Sequence, residues 1–431
     1  MKFVLASYGS RGDVEPAVVV GRELQLRGHD VLMAVPPNLV GFAEAAGLTT
    51  VACGLDSRAS MAAQRKYWTI YFRTPWKVKE LTAMARETEQ FAAECWATMT
   101  ETLKTVVDGA DLLVTGLIFE QPAANVAEFY DIPLVTLHYF PARAHGQLLP
   151  FLPSRLSRLI MTTNDWAAWR GTRAAEDAQR RDLGLANATR PAALRIADRG
   201  SLEIQAYDKV CFPGLSAEWA AWNARRPPQR PLVGALAMAS PTDADEELAA
   251  WIGEGTPPIF FGFGSVPIDD PADTVGMIAG ACARLGERAI IGAGGTDLGN
   301  AMAGVRGSAH LKVVGAVNYA TIFPLCRAVV HHGGAGTLAA CLRAGVPQLI
   351  LWTLPDQPSF AAHLKRLKVG AGRRFSSTTE KTLIADLRKI LNPQCTTRAR
   401  EIASSVTQPS ESVAAAADRV EEFARLNCLS D

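Results

Sequence analysis

Residues 331–337 have the sequence HHGGAGT and follow an apolar run that ends at Val330. The residues after the glycines have helical spacing, so the glycines form a turn between a buried strand and a helix. Glycines let an anion approach the backbone closely, and the free N–H groups of a helix N-terminus bind phosphate oxygens. The stretch therefore predicts a phosphate-binding turn, with a glycine-rich turn that carries an incidental histidine pair as the alternative.

Two other turns in the second half of the chain fit the same kind of ligand. In residues 354–358, LPDQP, the side chains of Asp356 and Gln357 can hydrogen-bond vicinal sugar hydroxyls. In residues 262–265, GFGS, the hydroxyl of Ser265 suits a phosphate. An aspartate in a turn is also a common helix N-cap, so the prediction depends on these turns occurring together with HHGGAGT.

The same alternation of apolar runs and helical spacing occurs twice along the chain. Alternating strands and helices predict a parallel sheet that helices cover on both faces. The predicted strands are residues 3–6, 31–35, 112–115, 134–137 and 202–206, then 259–261, 289–291, 311–314, 329–330 and 348–352. The predicted fold class is therefore α/β, with one Rossmann-like architecture in each half.

The chain is long enough for two domains. Its 431 residues exceed one ordinary core and suit two domains of about 200 residues each. Residues 225–231, RRPPQRP, predict an extended segment stiffened by proline between them. We expect an N-terminal domain at 1–230, a C-terminal domain at 231–410 and a final helix at 411–431 that packs back on the N-terminal domain.

Composition and charge disfavour several classes of protein. The formal net charge of +1 gives no field that would attract nucleic acid. No run approaches the roughly 18 apolar residues of a membrane span, and the start MKFVLASYG lacks a cleavable signal pattern. The eight cysteines have no metal-ligand spacing, so neither a structural zinc nor a disulfide frame is expected. We expect a cytoplasmic globular protein.

A turn near the N-terminus, residues 7–16, has the sequence SYGSRGDVEP. It is not a GxGxxG turn, so a nicotinamide dinucleotide site is disfavoured. Asp13 in this turn is either a helix cap or a general base, because ligands bind at the carboxyl edge of a parallel sheet. Both alternatives stay open on the residues alone.

These four stretches together resemble the family 1 glycosyltransferases. The likeness is to bacterial enzymes that glycosylate glycopeptide antibiotics and to mycobacterial enzymes that decorate glycopeptidolipids and phenolic glycolipids. It covers the whole chain and is weakest at residues 55–110 and 140–230. It implies the GT-B fold, in which two facing Rossmann-like domains with parallel sheets enclose an interdomain cleft.

The resemblance implies a role for each turn. It makes Asp13 the catalytic base and places Asp356 and Gln357 at the donor sugar. At the donor diphosphate it places Ser10, Arg11, Ser265, His332, Gly334, Gly336 and Thr337. At the nucleobase it places Ala316, Val317 and Asn318. Plant members of the wider family have a histidine near the base position and a stacking tryptophan at the nucleobase, and this chain has neither.

The reaction implied by these roles is a single displacement. Asp13 would deprotonate an acceptor hydroxyl, which attacks the anomeric carbon opposite the leaving nucleoside diphosphate and inverts its configuration. The helix dipole, His332 and backbone amides would stabilise the diphosphate. We therefore expect no metal and no cofactor besides the nucleotide-sugar co-substrate. Asp269 and Asp270 are not placed as a metal-binding DxD pair.

Two aromatic-rich stretches of the first half are candidates for an acceptor pocket, with ordinary core as the alternative. The predicted pocket residues are Trp68, Phe72, Trp76, His138 and Phe140. As groups they favour a large apolar acceptor, such as a glycolipid or lipopeptide. The arginine- and tryptophan-rich residues 148–173 would suit either peripheral contact with the inner face of a membrane or a solvated helix face.

The expected function is transfer of a 6-deoxyhexose such as rhamnose from a dTDP-sugar to a hydroxyl of that acceptor. The donor preference rests on the family resemblance. The alternative with the same chemistry is a UDP-glucose-dependent glucosyltransferase that acts on a sterol, polyketide or glycopeptide aglycone. Remote alternatives are a nucleotide-sugar epimerase, a nicotinamide-dependent oxidoreductase and a non-catalytic sugar-nucleotide-binding protein.

Overall fold

The chain forms two compact α/β units, each with a six-stranded parallel sheet, which confirms the predicted fold class. The computed structural model describes residues 1–74, 76–118, 120–149, 151–225, 229–238, 242–264, 268, 270–294 and 310–428. The first unit comprises Met1–Tyr67, Thr74–Met238 and Thr407–Asp431. The second unit comprises Trp68–Arg73 and Ala239–Val406.

The sheet of the first unit has the strand order β3-β2-β1-β4-β5-β6. Its strands are β1 (Lys2–Ala6), β2 (Asp30–Val35), β3 (Thr49–Ala52), β4 (Leu112–Gly116), β5 (Leu134–His138) and β6 (Leu202–Gln205). All neighbouring strands are parallel. Strands β4, β5 and β6 are buried along their whole length, because helices cover both faces of a parallel sheet.

The helices that follow these strands cover the two faces of the first sheet. They are α1 (Arg11–Leu26), α2 (Val40–Ala45), α3 (Ser57–Arg73), α4 (Val78–Val107), α5 (Glu120–Phe129), α6 (Ser154–Asp182), α7 (Ala192–Asp198) and α8 (Pro213–Asn223). Helix α1 buries an apolar face that begins at Val14 and ends at Leu24. Residues 229–233 lie along β6, where Gln205 N donates to the Pro231 carbonyl over 2.8 Å.

The second unit repeats this architecture with the strand order β12-β11-β10-β7-β8-β9. Its strands are β7 (Ile259–Gly262), β8 (Ala289–Gly292), β9 (Leu311–Val314), β10 (Ala328–His331), β11 (Gln348–Trp352) and β12 (Gly370–Arg374). Its helices are α9 (Ala244–Gly253), α10 (Pro271–Leu285), α11 (Tyr319–Ile322), α12 (Ala335–Ala344), α13 (Gln357–Leu367), α14 (Glu380–Ile390) and α15 (Pro393–Ala403).

The last helix, α16 (Pro409–Cys428), belongs to the first unit. Its apolar face, which includes Ala417 and Val420, is buried in the same core as α1. Two polar contacts flank that face: Arg27 Nη1 lies 2.7 Å from Asp418 Oδ1, and His29 Nε2 lies 2.7 Å from Glu421 Oε1. No helix in the described part of the chain is long and apolar enough to cross a membrane.

Two strands, β3 and β12, are absent from the sequence prediction. Both are edge strands, and neither has a fully buried residue. An edge strand is covered less completely than a central one, so its sequence need not be apolar; β12 has the sequence GAGRR. Backbone pairing with β11 holds it in the sheet.

Strand order reverses once in each sheet, and this positions the candidate site. Strand β1 lies between β2 and β4, and β7 lies between β8 and β10. Ligands of open α/β sheets bind outside the carboxyl ends of the strands at such a reversal. The turn after β1 and the turn after β10 both lie there, and they contain Asp13 and the HHGGAGT sequence.

Candidate active site

Asp13 lies in the first turn of α1, directly after the turn that leaves β1. Ser10 is the N-cap of α1, and its backbone N and its hydroxyl donate to Asp13 Oδ2 over 2.6 and 2.7 Å. Gly9 has φ +124°, and a Cβ at this position would lie 2.5 Å from Asp13 Oδ2. The turn therefore needs glycine at position 9 to bring the carboxylate against its own backbone.

Tyr139 holds the other carboxylate oxygen. It directly follows β5, and its hydroxyl donates to Asp13 Oδ1. Asp13 is therefore fixed from two turns of the same sheet edge, 126 residues apart in sequence. Sequence reasoning did not pair the two residues, although a hydroxyl in a turn after a parallel strand was the available signal.

The surroundings of Asp13 change its affinity for a proton. Burial raises the pKa of the Asp13 carboxyl above its usual range, against the hydrogen bonds from Tyr139 and Ser10, which lower it. A carboxylate with a raised pKa is a stronger base than an exposed one. A general base is most effective when its pKa approaches the working pH.

Ser10 and Arg11, both predicted at the donor diphosphate, have partners within the first unit. The Ser10 hydroxyl is engaged by Asp13. Arg11 Nε lies 3.3 Å from Glu15 Oε2, and the guanidinium stacks 4.7 Å from the centre of the Phe42 ring. A role at the diphosphate would require either side chain to exchange these contacts.

The two histidines of HHGGAGT have different environments. His331 ends β10 and is completely buried. Its Nδ1 accepts from Gly333 N over 3.2 Å, so Nε2 is the protonated nitrogen and donates to Gln348 Oε1 over 3.1 Å. Burial lowers the pKa of His331 to about 3, so the ring is neutral and holds the turn in shape.

His332 lies within the turn, beside the end of β7. A Cβ on Gly334 would meet His332 Nε2 at 2.6 Å, and one on Gly264 would meet Cε1 at 2.8 Å, so the ring packs against both backbones. Burial lowers the pKa of His332 to about 4, against a hydrogen bond to the backbone of Gly262. The neutral ring has one N–H, and the bond to Gly262 uses it, so His332 would have to release Gly262 to donate to a ligand near the start of α12.

The glycines of the turn have different functions. Gly333 has φ +100°, and a Cβ there would lie 2.9 Å from Ile350 Cγ2, so the protein itself requires glycine. Gly336, in contrast, has no atom within 4 Å of where a Cβ would be. Gly334 caps α12 without a side-chain hydrogen bond, and the first turn has no acidic residue. The N–H groups at this terminus, up to the half-buried Thr337, are therefore available to an anion.

Asp356 and Gln357 lie after β11, the strand next to β10. The buried Gln357 side chain accepts with Oε1 from the backbone N–H groups of Thr353 and Leu354, over 2.8 and 3.0 Å. This orientation leaves its amide nitrogen as the group that can donate to a ligand. Asp356 is half-buried and is the N-cap of α13.

The predicted nucleobase segment follows β9 on the far side of the sheet. Asn318 uses its side chain as the cap of α11: Oδ1 accepts from Ala320 N over 3.2 Å, and Nδ2 donates to Thr321 Oγ1 over 3.0 Å. Ala316 is exposed and Val317 is half-buried. The backbone and these two side chains are therefore what the segment presents to a ligand. Ser265, predicted at the diphosphate, and Asp269 lie outside the described residues.

The predicted acceptor-pocket residues do not form one described group. Trp76 is exposed, and the half-buried Trp68 packs edge-on against Tyr71, with ring centres 5.4 Å apart. The side chain of Phe72 lies outside the described part of the structure. Phe140 is half-buried beside Tyr139.

His138 does not line a surface pocket, which corrects the prediction for this residue. Its ring is fully buried, with Nε2 3.4 Å from Glu120 Oε2 and Nδ1 3.2 Å from Gln205 Nε2. Because the residue is the last of β5, its side chain points into the interior, whereas Tyr139 begins the turn. The end of the buried strand β5 separates the two residues, because every residue of β5 is buried and Tyr139 is the first residue after it.

A buried ionic cluster holds the turn that contains Tyr139. Arg143, in this turn, pairs with Glu120 over 2.6 Å and also with Glu203, which in turn pairs with Arg230 over 3.0 Å. Burial disfavours the charge of Glu120, but Arg143 and His138 outweigh it and lower its pKa to about 2. Removing one partner would leave a buried charge unpaired, which is strongly destabilising. The turn is therefore anchored to the sheet beneath it.

The fold and these two turns define the class. Two doubly wound units, one with a hydrogen-bonded carboxylate and one with a helix N-terminus left open by a glycine turn, fit the GT-B class. Residues 3–120 match the glycosyltransferase family 28 N-terminal domain. Residues 270–420 match the C-terminal domain of the erythromycin biosynthesis protein CIII-like proteins.

Relatives identify the family. An uncharacterized glycosyltransferase of Mycobacterium tuberculosis is 54% identical over 99% of this chain and 99% of its own. The vancomycin aglycone glucosyltransferase of Amycolatopsis orientalis is 30% identical over 96% of each chain. The chain belongs to the family 1 glycosyltransferases of the GT-B fold and is a glycosyltransferase, as the sequence predicts.

Solved structures agree on the fold. A calicheamicin glycosyltransferase matches with a TM-score of 0.68 and 17% identity over 98% of both chains. A spinosyn rhamnosyltransferase complexed with thymidine diphosphate matches with a TM-score of 0.65 and 16% identity, over 98% of this chain and 100% of its own. At these identities the match concerns the architecture alone.

Proposed function

We propose that the protein transfers a 6-deoxyhexose from a dTDP-sugar to a hydroxyl of a glycolipid or lipopeptide, with inversion and without a metal. The observation that carries the proposal is the pair of turns at the two reversals of strand order. One turn holds a carboxylate with a raised pKa, and the other leaves a helix N-terminus open to an anion. A base and a diphosphate site are the two parts that a direct displacement requires.

In the proposed reaction Asp13 accepts the proton of the acceptor hydroxyl. The oxygen forms a bond to the anomeric carbon while the bond from that carbon to the β-phosphate oxygen breaks. The nucleoside diphosphate leaves with the electron pair, and one displacement inverts the configuration. The N-terminus of α12 stabilises the charge on the leaving group, and the N–H of His332 adds to this when it exchanges Gly262 for the diphosphate. A metal ion does this work in other enzymes.

The donor would bind the second unit through its diphosphate and its sugar. Gly334, Gly336 and Thr337 would approach the diphosphate with their backbone, and Asp356 and Gln357 would bind the sugar hydroxyls. Two structural neighbours were solved in complex with thymidine diphosphate (dTDP), which supports the choice of nucleotide. The description of one of them as a rhamnosyltransferase supports the choice of sugar.

A second candidate is a UDP-glucose-dependent glucosyltransferase acting on a sterol, polyketide or glycopeptide aglycone. The relative described as a vancomycin aglycone glucosyltransferase, at 30% identity over nearly the whole chain, favours it. Both candidates use the same turns and the same base. They differ in donor and acceptor.

Calorimetric titration with dTDP, UDP, GDP and NAD, each with and without EDTA, tests the proposal. We expect dTDP to bind best and EDTA to change nothing. A ligand that binds only the folded state also raises the free energy of unfolding, by about 2.7 kcal/mol at a hundredfold excess over Kd. Preferential UDP binding would support the second candidate, and binding of NAD alone would overturn both.

The stereochemical outcome is a separate test. When the bound dTDP-sugar is turned over with an acceptor, proton NMR of the product reports the anomeric configuration. Inversion is expected, because one carboxylate acts on one face. Retention would require a second displacement and would contradict the role given to Asp13.

A further inference from the structure

One side of α6 exposes apolar side chains that the packing of the first unit leaves in solvent. Leu156, Leu159, Ile160 and Trp166 fall within an arc of roughly 120° around the helix at 3.6 residues per turn. Phe151 lies just before the helix. The exposed fractions are 75% for Phe151, 60% for Leu159, 42% for Leu156, 41% for Ile160 and 36% for Trp166. We call these five side chains the α6 surface.

Helix α6 packs against the rest of the first unit through its other side and its C-terminal half. Trp169 is buried and donates with Nε1 to Glu176 over 2.7 Å. Gln179 Nε2 donates to Thr100 Oγ1 of α4 over 3.0 Å. Trp166 also packs edge-on against Trp169, with ring centres 5.4 Å apart. Phe151 and Leu159 have most of their surface in solvent, so their apolar character is the part that packing leaves unexplained.

The beginning of α4, like that of α6, has exposed apolar side chains. Lys104 Nζ lies 3.5 Å from Asp182 Oδ2, so the C-terminal ends of α4 and α6 lie together. Together with the Gln179 contact, this means that the two helices run in the same direction. The N-terminal end of α4 also exposes apolar side chains, those of Trp76 and Val78. Exposed apolar residues thus begin both helices of the pair.

The charges around the α6 surface are mainly positive. Residues 154–175 contain four arginines and one acidic residue, the half-buried Asp165. Arg155 and Arg170 are exposed and have no ion pair among the described residues. Arg158 shares its charge with Glu218, 2.7 Å away. An apolar stripe with tryptophan, flanked by arginine, is the pattern of a helix that lies in a membrane interface.

We propose that the α6 surface docks the protein on a membrane that contains anionic lipids. The five apolar side chains enter the boundary of the acyl chains, and Arg155 and Arg170 meet the headgroup phosphates. A second copy of the chain fits less well, because a symmetric contact would bring the arginines of both copies together. The proposal gives a physical route to a lipid-borne acceptor and rests on the proposed function for that purpose.

Vesicle sedimentation tests the docking without donor or acceptor. Wild-type protein should bind vesicles of phosphatidylcholine with phosphatidylglycerol and bind pure phosphatidylcholine more weakly. Leu159→Glu should reduce binding by about tenfold or more, because burial of one leucine contributes about 1.5–3 kcal/mol. Arg155→Gln and Arg170→Gln should each reduce binding to the anionic vesicles roughly fivefold, equivalent to about 1 kcal/mol per basic residue.

Leu26→Glu is the matched control. Leu26 is 74% exposed on α1, in the same unit, and its variant should bind vesicles like the wild type. Both leucines are exposed, so both variants should unfold at the wild-type temperature.

Absence of wild-type binding to anionic vesicles would overturn the proposal, and so would equal binding by Leu159→Glu. A wild-type dimer that Leu159→Glu dissociates, without vesicle binding, would assign the surface to self-association instead. Vesicle binding by a protein that glycosylates no lipid would leave the docking in place and refute the proposed acceptor.

Discussion

The turn after β1 and the turn after β10 both lie beside the reversal of strand order in their sheets, and their chemistry is opposite. Each leaves a strand at the reversal of strand order and begins a helix. In the turn after β1, the negative charge at the helix N-terminus is a side chain of the protein, Asp13. Its carboxylate accepts hydrogen bonds from the N-cap residue, Ser10. In the second, Gly334 caps the helix without a side chain, and Gly336 faces open space.

The difference shows how one architecture can serve two tasks. A carboxylate in the first turn of a helix satisfies the orphan N–H groups and complements the dipole. The terminus of α1 already has the charge of Asp13 beside it, bonded to the N–H and hydroxyl of Ser10. The terminus of α12 has no acidic residue in its first turn. The contrast favours a base in the first unit and a diphosphate in the second, and it weakens the prediction that Ser10 binds the diphosphate.

The largest effect is expected when the negative charge of Asp13, in the turn after β1, is removed. Asp13→Asn should lower transfer by roughly 10²–10⁴-fold, the usual contribution of a general base. Its affinity for dTDP in calorimetry should stay at the wild-type value, because the proposed diphosphate site lies in the other turn. Undiminished transfer would refute the role of Asp13.

The stability of Asp13→Asn provides its control. Because the folded-state pKa of Asp13 is raised, the ionised carboxylate reduces the free energy of unfolding as pH rises past the unfolded-state pKa. The variant should therefore be at least as stable as the wild type at neutral pH. If the variant loses much of its thermal stability, its loss of transferase activity could not be assigned to loss of the base.

The next largest effect is expected when a methyl group is added at Gly336, in the turn after β10. Gly336→Ala should weaken dTDP binding about ten- to hundredfold, through the loss of one or two charge-assisted hydrogen bonds of about 1.5 kcal/mol each. The free energy of unfolding should stay the same or rise by about 0.5–1 kcal/mol, because alanine favours helix.

Gly276→Ala on α10 is the matched control for this variant. It also meets no atom within 4 Å, so it should have the same effect on stability and none on dTDP. Gly333→Ala should behave differently and destabilise the unit, because φ there is +100°. Equal dTDP affinity of Gly336→Ala and the wild type would place the diphosphate elsewhere.

The next prediction concerns the effect of the Tyr139 hydrogen bond on the pKa of Asp13. Because that bond lowers the pKa of Asp13, Tyr139→Phe should raise it, and the acidic limb of kcat/KM should move to higher pH. The loss of rate on the acidic side should be about tenfold, as for one hydrogen bond to a charged group. The pH profile is the measurement, since a purely structural role would lower kcat/KM at every pH.

Tyr130→Phe is the comparison variant. The Tyr130 hydroxyl donates to the Lys104 carbonyl over 2.7 Å, in the same unit but outside the active turn. Its pH profile should match that of the wild type. An unmoved limb in Tyr139→Phe would show that the contact does not tune the base.

The smallest expected effect concerns His332. His332→Gln should weaken binding of the dTDP-sugar about two- to tenfold, less than the loss of a whole hydrogen bond to a charged group, because glutamine keeps an N–H donor. Since burial holds the pKa of His332 at about 4, the ring is neutral above pH 6, and wild-type affinity should not vary between pH 6 and 8. Affinity that falls steadily over this range would indicate that a charged imidazolium binds the diphosphate.

The central strands and the fold class could be predicted because their signals are local. Strands β4 and β10 each begin with three apolar residues and are buried along their length, and the glycines of residues 331–337 are typical of a strand-to-helix turn. The family and the enzyme class are confirmed by the relatives. The roles of Asp13, His332 and Gln357 stay predictions until they are measured.

Edge strands and side-chain partners could not be predicted in the same way. β12 is a strand because β11 lies beside it, and its own sequence does not indicate one. His138 and Tyr139 are adjacent and aromatic, yet one is part of a buried ionic cluster and the other holds Asp13. The exposure of Leu159 likewise depends on which side of α6 the core covers.

By itself the sequence determined the alternation of strands and helices, the open glycine turn and the presence of an aspartate at the start of α1. These properties depend on residues that are close together along the chain, where backbone sterics and helix termini act. The packing of distant segments brings Tyr139 to Asp13, pairs Arg143 with Glu120 and leaves apolar side chains of α6 in solvent. Those properties depend on which distant segments the sheet brings side by side, and hydrophobic burial of whole elements settles that arrangement rather than any local pattern.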